Sequence, residues 1–240
     1  MNRNLKLETT TGEYLLRYYS YSSPEDIQRE VALLTKLATE GFPVAPPIAR
    51  LDGTYLNQEP EGYSVLFQFV EGDIPRLNPI TVAQIAQTVA KLNRLTVWSA
   101  VEKPYYCTTT YCQNLLDQFP AADFQYPDLF AFYREEYLTL EPRLQQPVPR
   151  GLIHGDVFPD NTIFQGNQLK AIVDFDEFGI GPLLTEIGTA VNGFCFIKEQ
   201  FQEDLFTVFL KNYESIRPLE APERKLLPFY LRWGAFVFVS

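Results

Sequence analysis

The chain's one histidine, His154, stands in the run GLIHGDVFPDN, residues 151–161, two residues before Asp156 and seven before Asn161. Thirteen residues after Asn161 an apolar run ends in IVDFD, with Asp174 and Asp176. Asp156 follows the apolar GLI and Asn161 precedes the apolar TIF, so the two bracket a tight loop containing Pro159. A loop held at both ends by buried strands fixes its polar side chains. NTIF, QGNQ and LKAIVDF read as strand, turn and strand. That hairpin returns Asp174 toward the loop, so Asp156, Asn161 and Asp174 are expected to converge. Two carboxylates and an amide oxygen are hard donors. They suit Mg²⁺, which takes one or two carboxylates and completes its shell with waters and phosphate oxygens, and they do not suit zinc. A carboxylate beside such a site can orient an alcohol and accept its proton. Positioning plus charge neutralisation is what phosphoryl transfer requires.

The rest of the chain must hold these residues in place. It has 240 residues, 46% hydrophobic and 21% charged, enough for one large domain or two small lobes with a sizeable core. Aromatics reach 15%, and Trp98, Trp233 and the many tyrosines read as core. A net charge of −10 repels phosphate backbones and argues against nucleic acid. Cys107, Cys112 and Cys195 are odd in number with no CxxC spacing, so neither a disulfide framework nor a zinc site is expected. No leader-like segment or membrane-length apolar run is read, and a cytoplasmic protein is expected.

LKLET and YLLRYY around TTTG read as a hairpin, followed by a helix that Ser23 caps, Pro24 opens and Gly41 ends. Asp26 lies where a capping box wants an acid, and Ile27, Val31, Leu34 and Leu37 form an apolar stripe at helical spacing. A turn at Asp52-Gly53 leads to YSVLFQFVEG, read as one continuous strand ending at Glu71-Gly72. Residues 1–71 thus form a mixed small lobe, and 72–240 a mainly helical large lobe carrying the motif loop. In the latter TVAQIAQTVAKLNRL, 111–119, 127–145 and most of 183–240 read as helix, with LLPFYLRWGAFVFVS a buried one. The fold class is α+β.

His-x-Asp-x₄-Asn followed by a strand-ending Asp is close to the protein-kinase catalytic loop and its DFG segment, with Gly155 for the middle Arg and Phe175-Asp176 for Phe-Gly. HGDxxxxN with IxDFD resembles the aminoglycoside phosphotransferase/choline kinase-like family of small-molecule kinases. NRNLKLETTTGEYLLRYY, REVALLTKLATEGFPVAPPI, FQFVEG and DEFGIGPLLTEIGTAVNGF are similar to its homoserine kinase type II branch. The resemblance spans nearly the whole chain. It implies a bilobal protein-kinase-like fold with ATP in the cleft and Mg²⁺ as cofactor. It implies Asp156 as catalytic base, Asn161 and Asp174 as metal ligands, and His154 as a structural residue of the loop. It puts adenine on the backbone of Gln68, Phe69, Val70 and Glu71. The family's phosphate-contacting basic residue falls at Arg17, where Lys is commoner, with Glu30 as its partner on the helix. Asp176 is open between a second ligand, a substrate contact and a loop acid.

The family begins with a further strand and a phosphate-covering loop, which this sequence lacks before its hairpin, and the chain ends inside a family helix. Truncation at both ends is therefore expected. The expected activity is ATP-dependent phosphorylation of a small-molecule hydroxyl, on homoserine or a similar amino alcohol. The alternatives are a choline- or aminoglycoside-type kinase, or a non-catalytic kinase-like nucleotide-binding protein. No nucleic-acid or membrane partner is expected, and oligomeric state is not readable.

Overall fold

The structure, a computed structural model, describes residues 2–96, 99–118 and 127–238. Trp98, the last residue of the helix expected over 111–119 and the final two residues of the chain lie outside them. In chain order the elements begin β1 (Arg3–Thr9), β2 (Gly12–Tyr19), α1 (Pro24–Thr39), β3 (Pro47–Ile48), β4 (Asn57–Glu59) and β5 (Gly62–Gln68). They continue α2 (Pro79–Leu92), α3 (Thr109–Gln118), α4 (Pro127–Leu144), β6 (Arg150–Ile153), β7 (Thr162–Gln165), β8 (Gln168–Ile172) and β9 (Gly179–Pro182). The last are α5 (Leu183–Phe194), β10 (Phe196–Ile197), β11 (Gln200–Phe201), α6 (Glu203–Glu214) and α7 (Ala221–Phe236). The chain is α+β, and its named strands pair antiparallel.

Two compact units form. The first takes in Met1–Arg76, Val97–Glu102 and Pro159–Asp176, and the second Leu77–Thr96, Lys103–Phe158 and Glu177–Ser240.

The first unit is built on a sheet of order β1-β2-β5-β3, with β4 also on β5. Strand alternation sends Arg17 and Tyr19 of β2 to the buried face, where they oppose Val65 and Tyr63 of β5. Helix α1 lays Ile27, Val31, Leu34 and Leu37 inward, as its spacing predicts, and Glu30 shares that buried stripe. Ser23 Oγ accepts the Asp26 amide at 3.1 Å, while the Asp26 carboxylate takes the Ser23 hydroxyl at 2.8 Å. Gly41 closes the helix at φ +73°, and the Phe42 amide reaches back to the Leu37 carbonyl at 2.9 Å. Strand β5 stops at Gln68, short of the expected end at Gly72, because its pairing with β2 runs out at Tyr14↔Gln68. Beyond it Asp73 exchanges both backbone bonds with Phe164, at 2.8 and 2.9 Å, tying this segment to the β7–β8 hairpin.

The second unit is helical around two short strand pairs, β6–β9 and β10–β11. The latter interrupts the stretch read as mostly helical. Helices α5 and α7 cross at Gly188 and Gly234, where a Cβ on either would strike the other helix's backbone. Asn93, just past α2, donates to the Leu152 carbonyl at 3.0 Å and accepts from the Tyr213 hydroxyl at 2.8 Å, fixing β6 against α2 and α6. Trp233 is buried, as are the free thiols of Cys107, Cys112 and Cys195. No helix among the described residues is long and apolar enough to cross a membrane.

Candidate functional site

In the first unit the hairpin brings Asn161 and Asp174 together. The register Thr162↔Ile172 continues one step, so that the Val173 amide donates to the Asn161 carbonyl at 2.9 Å. Asp174 then turns the chain at φ +64°, a left-handed conformation that Asp tolerates better than most residues. Its side chain stays 41% exposed, beside a guanidinium that is almost fully buried. Arg17 Nη2 donates to Asp174 Oδ1 at 2.7 Å and to Asp176 Oδ2 at 2.6 Å. Asn2 also donates to Asp176. The ion pairs of Arg17 therefore run to these two aspartates, and Glu30 shares the cavity with it without a direct pair.

Burial works against the Arg17 charge, but Asp176, Glu30 and Asp174 hold it above the ordinary guanidinium value. Burial, then the negative charge of Asp176, pushes the Glu30 carboxyl up to about 8 against the pull of Arg17. Burial likewise raises the Asp176 carboxyl, with Arg17 opposing. Burial and the neighbouring acids thus favour the protonated form of Glu30, while Arg17 favours its charged form.

A cavity of ≈ 40 Å³ opens here, with Leu15, Ala45 and Phe67 on its apolar side and Arg17, Glu30 and Asp174 on its charged side. Arg17 Nε is buried with no acceptor among the described residues, so the guanidinium has a donor left over. Of the expected base-binding segment, the Gln68 and Phe69 amides are taken by the Pro46 carbonyl at 3.0 Å and the Glu13 carbonyl at 3.3 Å. Val70 and Glu71 lie outside the sheet's ladder. These features fit a divalent cation and a polyphosphate. The exposed Asp174 carboxylate lies beside a buried guanidinium, and Asn161 is tied through its backbone to the neighbouring Val173.

The second unit holds the motif loop. His154 is fully buried, and its Nδ1 accepts the Asp156 amide at 3.2 Å, which makes it a fastener of the loop. Gly155 sits at φ +89°. A Cβ there would come within 2.7 Å of the Tyr105 ring and 2.9 Å of the Glu177 carbonyl, so glycine is required twice over.

Beneath the loop lies a residue the motif does not announce. Glu186 of α5 is fully buried and accepts the His154 amide at 2.8 Å and the Gly155 amide at 2.9 Å, one on each carboxylate oxygen. Burial pushes Glu186 up to about 7, the two amides oppose this, and the Asp156 charge adds to it. The available signal was one acid inside an apolar stripe, between Leu183, Ile187 and Ala190.

Tyr105 covers Gly155 because its own segment lies flat on β9. The Ile180 amide donates to the Lys103 carbonyl at 2.7 Å, and the Tyr105 amide to the Ile180 carbonyl at 3.3 Å. Gly179 permits this approach, since a Cβ there would fall 2.6 Å from the Tyr105 nitrogen. Asp156 lines the resulting cavity of ≈ 100 Å³ within this unit.

Comparison with known proteins agrees with the fold. A homoserine kinase of Afipia carboxidovorans is 30% identical, with 99% of this chain and 74% of the relative covered. A homoserine kinase of Chelativorans sp. is 28% identical, with 99% and 75% covered. Among solved structures, an amicoumacin kinase in complex with AMP-PNP and Ca²⁺ superposes with a TM-score of 0.80 at 15% identity, over 99% of this chain and 76% of that one. A microcompartment-associated aminopropanol kinase gives 0.79 at 20% identity, over 99% and 80%. Both share the fold. Residues 1–219, nearly the whole chain, match the phosphotransferase enzyme family, and to that family this protein belongs.

Proposed function

We propose that this chain is an ATP- and Mg²⁺-dependent kinase that phosphorylates a hydroxyl of a small molecule, homoserine or a similar amino alcohol. The observation that carries the reading is the Arg17–Asp174–Asp176 cluster set beside Asn161 by the β7–β8 register. Relatives described as homoserine kinases, and a structural neighbour described as an aminopropanol kinase, favour the acceptor class.

Each residue has a role within its own unit. Asn161 and Asp174 would hold Mg²⁺, which supplies charge neutralisation for the phosphates. Arg17 sets its positive charge beside the phosphates, and the paired aspartates keep it charged and oriented. The apolar wall of Leu15, Ala45 and Phe67 takes the base, and Val70 and Glu71 offer it their backbone. Asp156 orients the acceptor hydroxyl and accepts its proton. His154 and Glu186 do not touch the substrate. They hold the backbone on either side of Gly155, so that Asp156 projects in one direction.

The test is calorimetric titration of ATP into the chain with and without Mg²⁺, alongside Asp174→Asn. Binding that depends on Mg²⁺ and weakens at least tenfold in the variant is expected. ATP binding indifferent to both would remove the metal role of Asp174.

A further inference from the structure

The cavity at Asp156 has a lining that the family motif does not account for. Tyr105, Tyr106, Cys107, Asp156, Glu177 and Phe238 surround ≈ 100 Å³. Pockets for drug-sized ligands run to roughly 300–1,000 Å³, so this one holds only a handful of heavy atoms. Two carboxylates face it, and no Arg, Lys or His lines it among the described residues. An anionic group would meet repulsion there with nothing to pair with. A purely apolar occupant would strand both carboxylates against hydrocarbon. A small cation satisfies the lining.

The walls are held firmly enough to discriminate. Tyr105 is buried and pinned to β9, and Tyr106 packs its ring 5.6 Å from it. The Tyr106 hydroxyl bonds to the Glu177 carboxylate, so that acid is aimed by a neighbour. Phe238 meets Phe158 edge-on at 4.6 Å. Aromatic faces beside a carboxylate attract ammonium groups by two routes, charge pairing and cation–π contact.

We propose that Glu177 recognises the ammonium group of the acceptor, a small cationic alcohol that enters this cavity with its hydroxyl at Asp156. The inference rests on the reading of Asp156 as the residue that takes the acceptor's proton. It adds that the acceptor is selected by its positive charge, and that a carboxylate, where the acceptor carries one, points away from this lining.

The experiment compares kcat/KM for homoserine against its deaminated analogue hydroxybutanoate, and for aminopropanol against butanol, in the wild type and Glu177→Gln. A charge-assisted bond is worth about 10- to 100-fold in discrimination. The wild type should favour the better ammonium alcohol over the counterpart that lacks the ammonium by that factor. Glu177→Gln should lose the preference through KM, with kcat changed less than about threefold. A variant that keeps the wild-type preference overturns the proposal. Should Glu177→Gln fail to fold, Tyr106→Phe frees the carboxylate from its hydroxyl partner and should cut the same preference several-fold, and an unchanged preference overturns the proposal. Wild-type protein that phosphorylates none of these alcohols would count against the kinase reading instead. Titration of aminopropanol in the absence of ATP then still judges Glu177: weaker binding in the variant supports its role, and equal or absent binding refutes it.

Discussion

Replacing Glu186 by Gln tests how the motif loop is held. Wild-type Glu186 presents one carboxylate oxygen to each of the His154 and Gly155 amides. Gln, like the protonated acid, presents a single carbonyl oxygen, so one of the two amides loses its carboxylate partner. The fully buried carboxyl is raised from 4.5 to about 7. The folded state therefore binds the proton more tightly than the unfolded chain. Its stabilising contribution is complete below pH 4.5 and is lost as pH rises through about 7. At 1.36 kcal/mol per pH unit that contribution differs by about 2–3 kcal/mol between pH 5 and pH 8. Gln carries no such dependence. Gln matches the protonated acid in shape and charge, so urea denaturation at pH 5, 6, 7 and 8 should find the variant close to wild type at pH 5 and more stable by about 2–3 kcal/mol at pH 8, with equal m values. Its turnover at pH 8 should nevertheless fall about 10- to 100-fold, because misdirecting a catalytic group by about 1 Å is that damaging. A stability difference that stays constant across pH would refute the assignment of the raised carboxyl to Glu186. Unchanged turnover would refute its part in aiming Asp156.

Three further outcomes follow from the same geometry. Arg17→Ala leaves Asp174 and Asp176 without their counter-charge, and thermal or urea unfolding should register a loss of about 2–3 kcal/mol, less than for a fully buried pair because Asp174 is 41% exposed. Arg17→Lys should keep most of that stability yet weaken Mg·ATP binding, since an ammonium cannot serve both aspartates and a phosphate in the same planar arrangement. Gly155→Ala combines a left-handed backbone with a Cβ driven at Tyr105 and the Glu177 carbonyl. It should lower stability by about 2 kcal/mol or more and narrow the Asp156 cavity, raising KM for the acceptor.

What could be read beforehand follows the range of the interactions. His154, Asp156, Asn161 and Asp174 were readable because loop, hairpin and strand end are contiguous, and their spacing alone carries Asn161 to Val173. The α1 stripe and the buried side of β2 followed from periodicities of 3.6 and 2. Asp156 and its partners from distant sequence were another matter. Glu186 lies 30 residues beyond Asp156, in a helix whose apolar pattern disguises a lone acid as an exception. The pairing of β6 with β9 was hidden because GIGP has no strand pattern of its own; its glycines serve the close approach of Tyr105. The end of β5 at Gln68 was hidden by an apolar run that continues past the last residue pair with β2, Tyr14↔Gln68. Arg17 and Glu30 share one cavity, while the direct ion pairs of Arg17 run to Asp174 and Asp176, which lie more than 150 residues away in sequence.

The most direct test of the account is transfer of label from γ-³²P-ATP to an amino alcohol in the presence of Mg²⁺, by wild type and by Asp156→Asn at equal fold content. The account predicts a labelled phosphoester from the wild type, and a rate lowered about 10²- to 10⁴-fold in the variant with ATP binding retained. Equal transfer by the two proteins would contradict it.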